Sequence, residues 1–107
     1  MSVVGTIRFR RDAGGRPSVI APPEAAVLAD FLETDVADDH AYILEKLDQA
    51  EAGDELKISL NACYFEADQA GVRIEHLHRE GEGMRCSLTF GELRSLLIAW
   101  ASFLRTP

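Results

Sequence analysis

Apolar positions recur at the strand period in some stretches of the chain and at the helical period in others, so strands and helices are both expected. Val3 to Arg11 alternates, with Ile7 and Phe9 on one side and Thr6, Arg8 and Arg10 on the other, the pattern of a half-buried strand. Asp12-Ala13-Gly14-Gly15-Arg16-Pro17 supplies turn chemistry, and Ser18 to Ala21 returns as a short second strand of an N-terminal hairpin. Pro22-Pro23 suits the first turn of a helix, where missing amide protons are no loss. Val27, Leu28, Phe31 and Leu32 follow at helical spacing, predicting a helix from Pro23 to Glu33. A second helix is capped by Asp38 or Asp39, carries Ile43, Leu44, Leu47 and Ala50 on its apolar stripe, and ends at Gly53.

From Glu55 to Glu66 strict alternation predicts one long strand. Leu56, Ile58, Leu60, Ala62 and Tyr64 lie on one face, and Lys57, Ser59, Asn61, Cys63 and Phe65 on the other. Turns at Asp68-Gln69-Ala70-Gly71 and Gly81-Glu82-Gly83 lead into strands Val72 to Arg79 and Met84 to Phe90, completing a three-strand antiparallel meander. Met84, Cys86, Leu88 and Phe90 share the face that meets the helices. Thr89-Phe90-Gly91-Glu92 fits a capping box, behind which Leu93, Leu96, Leu97, Trp100, Phe103 and Leu104 form one side of a C-terminal amphipathic helix. The expected architecture is α+β: an antiparallel sheet from the N-terminal strand or hairpin and the meander, two middle helices, and the last helix packed on one face.

Length and composition fit this picture. A chain of 107 residues, 47% hydrophobic and 27% charged, matches one domain spanning 1–107 with a core that needs no metal or disulfide staple. No apolar run approaches the ~20 residues of a membrane-spanning helix, and the N-terminus becomes basic after its apolar residues, the reverse of a signal peptide. A cytoplasmic location is the expectation. Cys63 and Cys86, far apart and outside any Cys-x-x-Cys pattern, then read as buried thiols.

Charge sharpens the functional question. Between Glu24 and Asp68 thirteen acids face only Lys46 and Lys57, a net of −11, while the remainder nets +4, giving the formal −7. Phosphates would be repelled by that middle segment, which argues against direct nucleic-acid binding and favours a basic partner; a merely solubilising face is the plainer reading. His76-Leu77-His78 places two imidazoles on one side of a strand, yet a metal centre would need a third ligand from His40, Cys63 or Cys86. A nucleophile built from Cys63 with His76 or His78 has no supporting local motif, and phosphate-cradling glycine loops are absent. No catalytic residue, cofactor or metal is therefore expected.

Taken together, Asn61-Ala62-Cys63-Tyr64, Gly71-Val72-Arg73-Ile74-Glu75, Ser87-Leu88-Thr89, Glu92-Leu93, Leu96-Leu97, Trp100 and Phe103-Leu104 resemble the immunity proteins of bacterial contact-dependent growth inhibition systems. Asp30-Phe31-Leu32 and the stretch Tyr42 to Leu47 add looser similarity, and Leu60 stands where members often carry glycine. The resemblance implies a non-enzymatic protein that stays in the producing cell's cytosol and neutralises the C-terminal domain of a cognate toxin, in many systems a nuclease with a basic surface. It transfers no contact residue. The acidic segment suggests Glu33, Asp35, Asp38 and Asp39 first, then Asp48, Glu51, Asp54 and Glu55, as toxin-binding residues. Two alternatives stay open: a housekeeping or self-associating protein of the same fold, and a small enzyme or metal protein using His76, His78 and Cys63. Oligomeric state is not legible.

Overall fold

A computed structural model describes residues 3–106 of the chain. It is an α+β arrangement of two antiparallel sheets and three α-helices. Strands β1 (Arg8–Arg11) and β2 (Pro17–Ile20) form a hairpin of their own, in which Phe9 pairs with Val19. The four strands β3 (Leu56–Ser59), β4 (Cys63–Asp68), β5 (Gly71–His76) and β6 (Arg85–Leu88) form a meander in chain order. Helices α1 (Val27–Asp30), α2 (His40–Glu51) and α3 (Phe90–Leu104) complete the fold. Among the described residues no helix is long and apolar enough to cross a membrane.

The N-terminal strand is shorter than the alternation suggests, because Val3–Thr6 winds into a 3-10 turn closed by the Ile7 amide on the Val4 carbonyl at 3.2 Å. The expectations for Met1 and Ser2 lie outside the described residues. Ile7 is buried and Phe9 half-buried against α3, as the alternation predicts, and Arg11 ties β1 to the end of α3 by a 2.7 Å bond to the Thr106 carbonyl.

The long strand expected over Glu55 to Glu66 is two strands. A tight turn at Asn61-Ala62 separates them, and the pairs Ile58 with Phe65 and Leu56 with Ala67 follow. Folding back reverses the parity of the side chains, so Cys63 and Phe65 join the buried face shared with Leu56 and Ile58 instead of opposing it. The meander consequently has four strands. Its last two are shorter than their patterns, since His76 ends β5, while Phe90 belongs to α3. Met84, Cys86 and Leu88 do face the core, and Phe90 packs against it half-buried.

The first middle helix is also altered. Pro23–Ala25 begins as a 3-10 turn, α1 follows, and Phe31–Val36 widens into a π turn closed by the Ala37 amide on the Leu32 carbonyl at 2.8 Å. Packing gives the reason: Phe31, Leu32 and Val36 are all buried, and the i to i+5 winding returns Val36 to the face that Phe31 occupies. Leaving the turn costs strain, for Ala37 sits at φ 45° and ψ −118°, a conformation suited to glycine. Ala37→Gly is therefore expected to raise stability by ~1 kcal/mol, the strain relieved less glycine's larger loss of freedom, and a urea midpoint at or below the parent value would refute that account. Asp39 occupies the cap position of α2, yet neither its carboxylate nor that of Asp38 accepts a capping bond, contrary to the sequence expectation. Gly53 ends the helix at φ 115° as predicted.

The α3 capping box forms in both directions: the Glu92 amide donates to the Thr89 hydroxyl at 3.0 Å, and the Thr89 amide to the Glu92 carboxylate at 2.8 Å. Leu93, Leu96, Leu97 and Trp100 are buried behind it. One contiguous core joins these residues to Phe31, Leu47, Phe65 and Ile74, with helices on one face of the meander and charged residues on the other. On that outer face Arg73 bridges Glu66 at 2.6 Å and Asp68 at 2.8 Å, and the guanidinium holds the Asp68 carboxyl below the usual carboxylate range.

Candidate functional site

The eight acids singled out from the sequence fall into three environments. Glu33 and Asp35, on the π turn, both accept backbone hydrogen bonds. Glu33 Oε2 takes the Val19 amide at 2.9 Å and so joins β2 to the helix layer. The two oxygens of Asp35 take the Ala62 and Cys63 amides at 2.8 and 2.9 Å, holding the unexpected β3–β4 turn. These two carboxylates are fastened into the fold, although Glu33 keeps one oxygen free and remains exposed.

Asp48 and Glu51 project from α2, exposed, and share Arg94 of α3: Arg94 Nη2 meets Asp48 at 2.6 Å, and Nη1 contacts Glu51. Their charge is half offset by that guanidinium, which sequence spacing did not connect with them. Asp38, Asp39, Asp54 and Glu55 are exposed and take part in none of the ion pairs among the described residues. Of the eight, the four without an ion pair thus lie in the segments before and after α2.

Glu33 and Asp38 come together on one wall of a cleft of about 540 Å³. The β1–β2 turn supplies Asp12 and Arg16 to the same cleft, and α3 supplies Trp100 and Leu104. The Trp100 indole N–H donates to the Ala37 carbonyl at 2.8 Å, which ties α3 to the strained exit of the π turn. Sequence reasoning missed Asp12, Arg16 and Trp100 as neighbours of the acids. They come from three separated stretches, and only the packing of hairpin, π turn and α3 unites them.

A larger hollow of about 800 Å³ lies at the far end of β5 and β6. Its arginines are already engaged, Arg79 with Asp30 at 3.3 Å and Arg85 with Glu75 at 3.2 Å. His76 there uses both ring nitrogens. Nδ1 accepts the amides of His78 and Arg79, each at 3.1 Å, and Nε2 lies 2.9 Å from Asp30 Oδ2, so a neutral ring carries its proton on Nε2 and donates it to the carboxylate. The pair His76 and His78 is therefore not arranged as a two-histidine chelate, and among the described residues no three metal-ligating side chains converge.

Cys63 sits directly across β4–β5 from His76, but that imidazole has no nitrogen left to serve as its base. Burial pushes the Cys63 thiol up to about 12, aided by the negative charge and hydrogen bond of Asp35 and by the charge of Asp30. Cys86 is raised too, by burial and then by Glu92. Both are free, buried thiols. Because the folded values lie above the ordinary one, their stabilisation is complete below pH 9.0 and is lost as pH rises from there, for Cys63 through about 12. The urea midpoint is expected to fall across that interval, less so in Cys63→Ala when each is compared with its own value at neutral pH; equal slopes would remove Cys63 as the cause.

No protein-family model matches the chain, and no curated protein or solved structure matches it.

Proposed function

We propose that this chain is an immunity protein, acting in the cytoplasm of the producing cell, that binds and neutralises the C-terminal toxin domain of a contact-dependent growth inhibition system. The toxin expected is a nuclease whose substrate-binding surface is basic. One observation carries the reading beyond the sequence resemblance: Asp38, Asp39, Asp54 and Glu55 stand exposed at the two ends of α2 and form no ion pair among the described residues. Charges held clear of neighbours attract a basic partner over a Debye length and speed its encounter. A few desolvated contacts would then set the lifetime of the complex.

Co-purification with the toxin domain encoded immediately upstream, together with protection of cells that express it, tests the reading. Failure to bind or protect would remove it. Charge reversal tests the surface within it: Asp38→Lys with Asp39→Lys is expected to slow association ~10-fold at low salt and less at physiological salt. An unchanged rate would place the interface elsewhere.

A further inference from the structure

We propose that the peptide joining Ala37 to Asp38 is a two-state switch, held in its strained orientation by the indole of Trp100. Val36 to Asp39 form a tight turn closed by the Asp39 amide on the Val36 carbonyl at 2.8 Å. Ala37, at φ 45° and ψ −118°, has the first central conformation of a type II′ turn, a place that glycine fills without steric cost. What holds an alanine there is the 2.8 Å bond from the Trp100 indole N–H to its carbonyl. Strain and latch thus act on the same peptide, in opposite directions.

Turning that peptide over leaves the rest of the turn in place. The ψ angle of Ala37 moves from −118° to roughly +60°, beside the left-handed region that an alanine reaches with less strain. Asp38 takes a positive φ, which aspartate tolerates better than most residues. Types II′ and I′ differ by this one flip and share the closing bond from Asp39 to Val36, so neither α2 nor the π turn has to move. The flip breaks the latch, and the indole N–H turns to water in the cleft of about 540 Å³ that Ala37, Asp38 and Trp100 help to line. A strained residue is exchanged for one hydrogen bond, contributions of similar size, so the flipped state is expected in ~1–10% of molecules. Its Ala37 carbonyl points away from α3, beside the exposed Asp38 and Asp39. That a basic partner reads this change rests on the function proposed above; the switch itself does not.

Relaxation dispersion of the isotope-labelled full chain is expected to show one shared exchange process, in microseconds to milliseconds, at the Asp38 and Asp39 amides and the Trp100 indole nitrogen. Ala37→Gly, at home in the type II′ position, should abolish it. Ala37→Asn combined with Asp38→Gly, the pair that favours a type I′ turn, should invert the populations and speed solvent exchange of the indole N–H at least ~10-fold. Flat profiles in the parent, undiminished amplitude in Ala37→Gly, or an indole equally protected in the double variant would each overturn the switch. Ala37→Gly and Ala37→Asn, which keep every acid, are then expected to differ at least ~5-fold in affinity for the upstream toxin domain. Equal affinities would remove the switch from recognition and leave the immunity reading. No binding by the parent would remove that reading and leave the switch.

Discussion

Gly83→Ala is expected to leave little folded protein. Gly83 lies at φ 78°, and a Cβ built there would stand 1.8 Å from the Pro23 carbonyl oxygen and 3.0 Å from the Ala26 nitrogen. Both obstacles are backbone, so neither can rotate away. The carbonyl of Gly83 also accepts the Val27 amide at 2.7 Å, clipping the β5–β6 loop onto the first turn of α1. Separating the two segments sacrifices that bond and adds conformational strain, ~4 kcal/mol or more, against the 5–15 kcal/mol that holds an ordinary domain together. Gly81→Ala is the matched comparison, since Gly81 has a positive φ of 118° but open space around it; its cost should be ~1 kcal/mol. Far-ultraviolet circular dichroism and urea titration separate the two variants, and coincident curves would refute the close approach.

Trp100→Ala is expected to cost ~3–5 kcal/mol. The indole is 2% exposed, edge-on to Phe9 at 5.4 Å and stacked near Phe103 at 6.3 Å. Truncation opens a cavity where hairpin and α3 meet and removes the N–H that satisfies the Ala37 carbonyl. Trp100→Phe keeps most of the packing but loses the hydrogen bond, so it should fall ~1–2 kcal/mol below the parent. A Trp100→Ala protein with the parent's urea midpoint would show that the aromatic cluster contributes nothing.

Local chemistry explains what could be read in advance. Thr89 and Glu92 lie within one turn of each other, and Leu93, Leu96, Leu97 and Trp100 repeat at the helical period, so α3 was legible apart from its first residue, Phe90, which the strand pattern also claimed. Asp68 and Gly71 likewise announced the β4–β5 turn, where the Asp68 carboxylate takes the Ala70 amide at 2.8 Å. The turn at Asn61-Ala62 carried no glycine or proline, and alternation ran through it undisturbed. What holds it is Asp35, 27 and 28 residues away from the amides it accepts. No local pattern records such a contact. The π turn was hidden for a related reason, since Val27 to Leu32 keeps the ordinary helical spacing and only the burial of Val36 requires the wider winding.

The acids show the same division. Their excess was visible as composition, but not which of them serve the fold. Glu33 and Asp35 read as surface charges and bond to β2 and the β3–β4 turn; Asp48 and Glu51 read as free and share Arg94. Asp38 and Asp39 read as alternative caps and are left unbonded instead.

The long-range support of the β3–β4 turn by Asp35 also bears on the order in which the meander is expected to assemble. The β4–β5 hairpin carries its own turn-stabilising carboxylate and forms from neighbours in the chain, a short loop to close. The β3–β4 hairpin closes its own turn by the Leu60 amide on the Cys63 carbonyl at 2.8 Å, but the Ala62 and Cys63 amides find their protein acceptor only once the π turn brings Asp35 to them. The first strand of the meander is therefore expected to join after the β4–β5 hairpin, since part of what holds it is a contact across 27 and 28 residues whose loop must first close.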